Sequence, residues 1–380
     1  MAIHSRRVAC AALTALVLAG CGGATTTPTM IGAQATQSWA PESFRYIPAE
    51  TPYLIAAINN GSNGVAQKMF GNSIAALHAK IAPKLRADSR PASRAWLALL
   101  DEIAADHKQS WQSHLGLDED LRYVVYGLSI WPVVRMRVSN PTRLRAIIQR
   151  TIDAAQWNLA PVTGPTATYW QFTDPDDKIS VVVAVTEHEL VGTLMPAAQV
   201  VDALPYVLGS KLPPVSLAQS NKIPTLLRTN GFTQNNVGYF DFQHMAAIAF
   251  GHGTTLETAL RGQFAAESMG PVCAHDIDRL IGMVPRLFWG MTQLDDKGMA
   301  GSIVLELPVA IRQALAGLRT PAASINTKGI DNAVIAFGAS VDVDKAVQWI
   351  NSATTVAQLT PMQCPQLASF NTMVSAMRAG

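Results

Sequence analysis

The sequence predicts an α+β fold with two similar lobes, each a mixed or antiparallel sheet with packed helices, behind a leader and a flexible tether. Three observations support this prediction. The order helix, strand, strand, helix, strand occurs twice along the chain. No sustained β-α-β alternation is present, which disfavours one parallel sheet. The length of 380 residues fits about two domains.

Strands in the first lobe are predicted from short apolar or alternating runs that turn residues bound on both sides. In Val133–Val138, for example, Arg135 and Arg137 alternate with apolar residues, as in a half-buried strand. The predicted strands are Tyr53–Ile58, Tyr123–Ser129, Val133–Val138, Ala167–Thr173, Ile179–Thr186 and Glu189–Met195.

Helices in the first lobe are predicted where apolar residues recur at spacings of three and four. They begin at about Gly64, after Pro91, at Asn140-Pro141 and at Pro196. The second helix carries an apolar stripe from Trp96 to Trp111 and is expected to end near Gly116. Asn140 and Pro141 suit the N-cap and first turn of the third helix.

The second lobe repeats the first loosely. Asn236–Phe242 corresponds to Pro52–Ile58, Arg286–Gly290 to Arg122–Gly127, and Gly301–Leu307 to Val133–Val138. A final strand is predicted at Ala333–Asp342, with a closing helix that starts near Asp344. The turn-rich run Gly209–Pro214 is the predicted boundary between the lobes, residues 41–213 and 214–380.

The N-terminus has the layout of a secretory signal. Arg6 and Arg7 precede an apolar run, Val8–Leu18, that is too short to span a bilayer. Leu18-Ala19-Gly20-Cys21 then resembles the lipobox of bacterial lipoproteins. This resemblance implies that residues 1–20 are removed and that Cys21 carries a diacylglycerol and an N-linked acyl chain such as palmitate. Two or more chains make a stable anchor.

The residues after Cys21 refine the expected location. Residues 21–40 are uncharged and lack periodicity, so they are predicted to form a flexible tether. In the enteric members of the lipoprotein class, Asp directly after the lipidated cysteine retains the protein in the inner membrane. Gly22 occupies that place here, so the resemblance implies an outer-membrane protein that faces the periplasm.

The remainder of the chain resembles an uncharacterised family of bacterial envelope proteins with duplicated α+β domains. The resemblance rests on Tyr46–Tyr53, on the hairpin Val183–Thr193 with the helix after Pro196, and on Asn236–Phe242. Glu50 stands where the family more often has Asp. The family brings no activity and no site residues to this sequence.

The net charge and the absence of several motifs disfavour some classes of function. The chain has 29 basic residues, of which Arg6 and Arg7 leave with the signal, against 27 acidic residues. The mature chain is therefore formally neutral, which disfavours nucleic-acid binding. No later apolar run is long enough for a transmembrane helix. The sequence has no Walker A, G-x-G-x-x-G, G-x-S-x-G or H-E-x-x-H motif, so neither a cofactor nor a metal site is expected.

Two cysteines remain for pairing. Cys10 lies in the signal and Cys21 is the predicted lipidation site, which leaves Cys273 and Cys364. Because disulfides persist beyond the inner membrane, we predict a Cys273–Cys364 bond. Two separate buried thiols are the alternative.

A basic cluster is the remaining candidate site. Its members are predicted to face outward from one strand and the helix that follows it, as a weak anion-binding patch: Arg135, Arg137, Arg143, Arg145 and Arg150. Guanidinium groups bind phosphate and carboxylate bidentately. Phospholipid heads, lipopolysaccharide phosphates and peptidoglycan carboxylates are the candidate anions. A solvated face with local ion pairs is the alternative.

The sequence thus predicts a lipid-anchored periplasmic protein with a non-enzymatic role in binding or envelope maintenance. The partners expected are the membrane, through the anchor, and an anionic envelope component. The alternative is a periplasmic hydrolase whose site is assembled from distant residues.

Overall fold

The computed structural model describes residues 42–58, 76–104, 110–173, 178–262, 266–295, 298–318 and 342–379. Ten strands of this part of the chain form one antiparallel sheet, in the order β10-β9-β8-β1-β2-β3-β7-β6-β5-β4. The strands are β1 (Tyr53–Ala57), β2 (Tyr123–Leu128), β3 (Trp131–Arg137), β4 (Val162–Thr163), β5 (Thr168–Thr173), β6 (Ile179–Val185), β7 (Glu189–Pro196), β8 (Val237–Asp241), β9 (Arg286–Asp295) and β10 (Gly298–Glu306). The predicted α+β class is confirmed.

Helices lie between and after these strands. In addition to helical residues 76–86, they are α1 (Pro91–Ala104), α2 (Trp111–Leu115), α3 (Pro141–Ala154), α4 (Val200–Val207), α5 (Lys222–Asn230), α6 (Phe242–Ala249), α7 (Thr255–Arg261), α8 (Ala266–Ile281), α9 (Val309–Gly317), α10 (Val343–Leu359) and α11 (Ala368–Ala379). Short 3-10 helices occur at Glu42–Tyr46, Ala197–Gln199, Leu217–Gln219 and Pro365–Leu367. None of the described helices is both long enough and apolar enough to span a bilayer.

The sheet has a symmetric centre. β1 and β8 pair antiparallel, with Ile55 opposite Gly238. Each then pairs with the first strand of a hairpin, β1 with β2–β3 and β8 with β9–β10. The segments that the sequence repeat paired, β1 with β8, β2 with β9 and β3 with β10, therefore take equivalent places on either side of this centre. Residues 41–213 and 214–380, predicted as lobes, contribute to one continuous sheet.

Helices cover both faces of the first half of the sheet. Successive strand residues point to opposite faces, and along β6 Ala184 joins the larger core while Val185 joins a second core. The larger core receives side chains of α4, α5 and the first described segment, including Phe44 and Ile47. The second core receives Leu144, Ile147 and Ile152 of α3. The sheet is therefore the middle layer of three.

Local sequence explains several element ends. The side chain of Asn140 caps α3 by accepting a hydrogen bond from the backbone N–H of Arg143, as predicted. Gly116 ends α2 with φ 81°, and a Cβ there would lie 2.5 Å from the carbonyl oxygen of Asn140. The predicted helix through Trp111 is not continuous, because Ser110 is extended and caps α2 as a new helix.

Some predictions fall outside the described residues. They are the start of the helix at Gly64, the strand over residues 333–341, the tether, and Cys21.

Candidate functional site

The predicted cysteine pair is confirmed. Cys273 of α8 forms a disulfide with Cys364, which lies just before α11. Both residues are 1% exposed. Asp276, one turn after Cys273, accepts hydrogen bonds from the backbone N–H groups of Gln363 and Cys364, and these bonds lower its pKa. The bond is a buried structural crosslink, so Cys273 has no free thiol to act as a nucleophile.

Arg135 contradicts the predicted outward orientation. Its side chain is 1% exposed, whereas that of Arg137 on the same strand is 56% exposed. Alternation places Arg135 on the face that holds Val133, and α4 and the segment 42–47 cover that face. The prediction that Arg135 belongs to a surface anion patch is therefore wrong.

The buried charge of Arg135 is fully compensated. Its guanidinium donates to Glu189 at 2.6 Å and to the carbonyl oxygen of Val207 at 2.7 Å, and it lies 4.1 Å from the ring centre of Tyr46. Val207 is the last residue of α4, so the cation also meets the negative end of that helix. Burial acts to lower the pKa of Arg135, but Tyr126 and Glu189 raise it above its ordinary value. The residue is a charged structural element of the core.

The other four arginines of the predicted patch are exposed or half-buried, and two of them are ion-paired. Arg137 contacts Asp118 at 3.3 Å and Arg150 contacts Glu102 at 2.7 Å. Arg143 donates to the carbonyl oxygen of Ser113, and Arg145 to the hydroxyl of Thr142. The positive charge left for an external anion is therefore concentrated on Arg143 and Arg145.

An open depression of about 530 Å³ lies beside Arg137. Its polar lining comprises Ser113, Asp118, Glu119, Asp120, Arg137 and Ser139. Asp118 contacts Arg122 at 2.6 Å as well as Arg137, and Glu119 accepts a hydrogen bond from Ser113. Three carboxylates against one guanidinium give this surface a negative lining, which would repel an anion.

A second set of ionisable groups gathers around the end of β8, here called the β8 cluster. Its members are Lys222, Tyr239, Asp241, His244, Glu257 and Arg286. They come from α5, β8, α6, α7 and β9, and the antiparallel pairing of β8 with β9 brings Asp241 opposite Arg286.

Geometry links most of the β8 cluster pairwise. Arg286 contacts Asp241 at 2.9 Å and Glu306 at 3.2 Å, and His244 contacts Glu257 at 2.8 Å. Asp241 also caps α6 by accepting from the backbone N–H of His244. The ammonium of Lys222 lies 4.4 Å from the ring centre of Tyr239, a cation–π distance. Burial lowers the pKa of Lys222.

The β8 cluster was missed at the sequence level because its members are dispersed along the chain. One local signal was present. Thr254 and Glu257 form a capping box for α7, and the pattern T-x-x-E is recognisable in a sequence. It would have placed Glu257 at a helix start but would not have indicated its partner His244.

The His244–Glu257 pair makes stability depend on pH. The hydrogen bond that protonated His244 donates to the carboxylate of Glu257 raises the pKa of His244 above its ordinary 6.5. The contribution of this pair to folding stability is therefore fully present below about pH 6.5, and it is lost as pH rises through the raised pKa of His244. We expect His244→Gln to lower the free energy of unfolding by about 1–2 kcal/mol at pH 5.5 and by less at pH 8.5, measured by urea unfolding.

The matched control for that measurement is His188→Gln, because His188 is an exposed histidine in the turn between β6 and β7. If His244→Gln lowered the free energy of unfolding equally at pH 5.5 and pH 8.5, the assigned His244–Glu257 pair would be contradicted.

No group of three or more potential metal ligands occurs among the described residues. Comparison of the chain with protein-family models, with curated proteins and with solved structures gave no significant match.

Proposed function

We propose that this chain is a lipid-anchored protein of the bacterial envelope, held by Cys21 in the outer membrane and facing the periplasm, with a role in binding or envelope maintenance. The observation that carries the proposal is the complete Leu18–Cys21 box, in register with a basic head and a short apolar run. The buried Cys273–Cys364 disulfide supports it, because such bonds persist in oxidising compartments.

The anchor is tested by replacing Cys21. We expect Cys21→Ser to abolish incorporation of an alkynyl fatty acid and to leave residues 1–20 attached, because the modified thiol would be gone. Cys10→Ser is the matched control, since Cys10 lies in the same leader and should not affect labelling. Labelling is measured by gel fluorescence after dye coupling. Equal label on the Cys21→Ser variant and wild type would refute the anchor.

An anionic envelope component is the proposed partner. With Arg135 buried and Arg137 and Arg150 paired, Arg143 and Arg145 on α3 would make most of the contact. We expect Arg143→Gln with Arg145→Gln to weaken co-sedimentation of the unlipidated protein with anionic vesicles about 3–10-fold at low salt. Each basic residue near an anionic surface contributes about 1 kcal/mol, part of which the existing hydrogen bonds offset.

Two controls sharpen this experiment. Arg150→Gln should change binding less, because Glu102 already contacts Arg150. Raising the salt should reduce the difference between wild type and the double variant, since exposed charges are screened beyond about 8 Å at physiological ionic strength. Binding of the double variant that equals wild type at every salt concentration would reduce α3 to a solvated face.

The β8 cluster is the observation that favours the alternative, a hydrolase. Lys222, whose pKa is lowered by burial, and the His244–Glu257 pair supply groups of the kind that serve as general acids and bases. A panel of chromogenic ester, amide, phosphate and glycoside substrates, tested on wild type and on Lys222→Met, would discriminate the two functions.

A further inference from the structure

The described fold begins directly after the predicted tether. Glu42–Tyr46 forms a 3-10 helix in which Phe44 is 1% exposed, and Ile47 just after it is fully buried. The first turn is therefore fixed to the core. Only the 20 residues after Cys21 separate this point from the predicted lipid. A flexible chain of that length has a root-mean-square reach of about 25 Å.

One exposed segment lies directly against this starting point. Residues 209–215, here called the anchor-side loop, follow α4. The backbone N–H of Ala49 donates to the carbonyl oxygen of Val215 at 3.0 Å, and that of Leu217 donates to Ile47 at 2.7 Å. At the other end of the loop, Gly209 has φ 76°, and a Cβ there would lie 2.6 Å from the ring of Tyr46.

The anchor-side loop exposes apolar side chains. Leu212 is 51% exposed and Val215 is 57% exposed, and Pro214 between them is exposed as well. The charged groups near this loop include one ion pair and a lysine. Glu42 contacts Arg45 at 3.1 Å, and the ammonium of Lys211 lies 4.8 Å from the ring centre of Tyr206. An apolar tip with a cation beside it suits the boundary between lipid headgroups and acyl chains.

We propose that the anchor-side loop is the membrane-facing surface of the protein and inserts Leu212 and Val215 into a phospholipid bilayer. This inference rests on the proposed lipid anchor. Two apolar side chains would bind a bilayer weakly on their own. A flexible tether of 20 residues would, however, keep the first described turn at a root-mean-square distance of about 25 Å from the lipid, and a linked second contact needs little intrinsic affinity because its effective concentration is high.

The test places an environment-sensitive fluorophore on the lipidated full chain. Single variants Val215→Cys and Val162→Cys are labelled with nitrobenzoxadiazole, without reduction so that Cys273 and Cys364 stay paired. Val162 is the matched control, because it is a valine of 47% exposure on β4. In the strand order β4 is six strands from β1, roughly 29 Å at ordinary strand spacing.

The labelled proteins are reconstituted into vesicles of phosphatidylethanolamine and phosphatidylglycerol with nitroxide-labelled lipid. We expect a blue shift at position 215 and quenching about twofold or more stronger than at position 162, because only the former would meet the bilayer. Leu212→Ser should reduce both effects at position 215.

Two failures are distinguishable. Protein that floats with the vesicles but shows equal, unshifted emission at both positions would retain the anchor and overturn the membrane-facing loop. Protein that does not float at all would overturn the anchor and, with it, this inference.

Discussion

Replacing Arg135 by alanine is expected to lower the free energy of unfolding by about 3–5 kcal/mol, because removal of one partner leaves a buried charge without compensation. Glu189 is only 12% exposed and would lose its guanidinium partner. The carbonyl oxygen of Val207 would lose its donor as well. A loss of this size is a large part of the stability of an ordinary domain. Urea unfolding followed by circular dichroism measures it.

The same strand supplies the control. Arg137→Ala removes an arginine two residues away, but its side chain is 56% exposed, so the change should stay within about 0.5 kcal/mol. If Arg135→Ala fails to fold, Arg135→Met with Glu189→Leu removes both charges and should recover most of the stability. Equal, small effects of Arg135→Ala and Arg137→Ala would contradict the burial of Arg135.

The elements that could be predicted are those whose signal is local. The period-two pattern of β3 and the Asn140-Pro141 pair before α3 correspond to the structure closely. Helices that contain an internal glycine or proline were not predicted. In α8, Gly270 has a positive φ of 70° and Pro271 follows it, and both residues interrupt a helical pattern. In α5, Pro224 stands in the first turn, where proline is tolerated but still weakens a helical pattern.

The orientation of Arg135 could not be predicted, because alternation distinguishes the two faces of a strand without telling which face is covered. A half-buried strand and a strand covered on both sides can share the same pattern when a buried charge finds partners. Those partners are far along the chain: Glu189 is 54 residues away and Val207 is 72 residues away. The β8 cluster has the same property, since its members come from three helices and two strands that are far apart in sequence.

The disulfide prediction was accessible for a different reason. It depended on elimination among four cysteines and on the expected compartment, and it needed no knowledge of tertiary contacts. The structure adds what elimination could not supply. The bond joins α8 to the segment before α11, and Asp276 reinforces the same junction.

Replacing both Cys273 and Cys364 by alanine is expected to lower the free energy of unfolding by about 2–4 kcal/mol. The two cysteines are 91 residues apart in sequence, and the chain-entropy model gives an upper value of about 4–5 kcal/mol for a loop of that length. Thermal unfolding of the double variant and of wild type, each with and without reductant, measures the effect. Reductant should lower the melting temperature of wild type alone.

The double variant should lose local stability mainly in its C-terminal helices. α11 packs on α10, and the segment between these two helices joins α8 through the disulfide and through the hydrogen bonds that Asp276 accepts from Gln363 and Cys364. In the double variant we therefore expect faster hydrogen exchange in α10 and α11 than in wild type, with little change in β1–β3, because the sheet core does not depend on this junction. Hydrogen exchange that accelerates uniformly would contradict the role of the crosslink in holding the C-terminal helices. Alkylation of both cysteines in unreduced wild-type protein would contradict the crosslink itself.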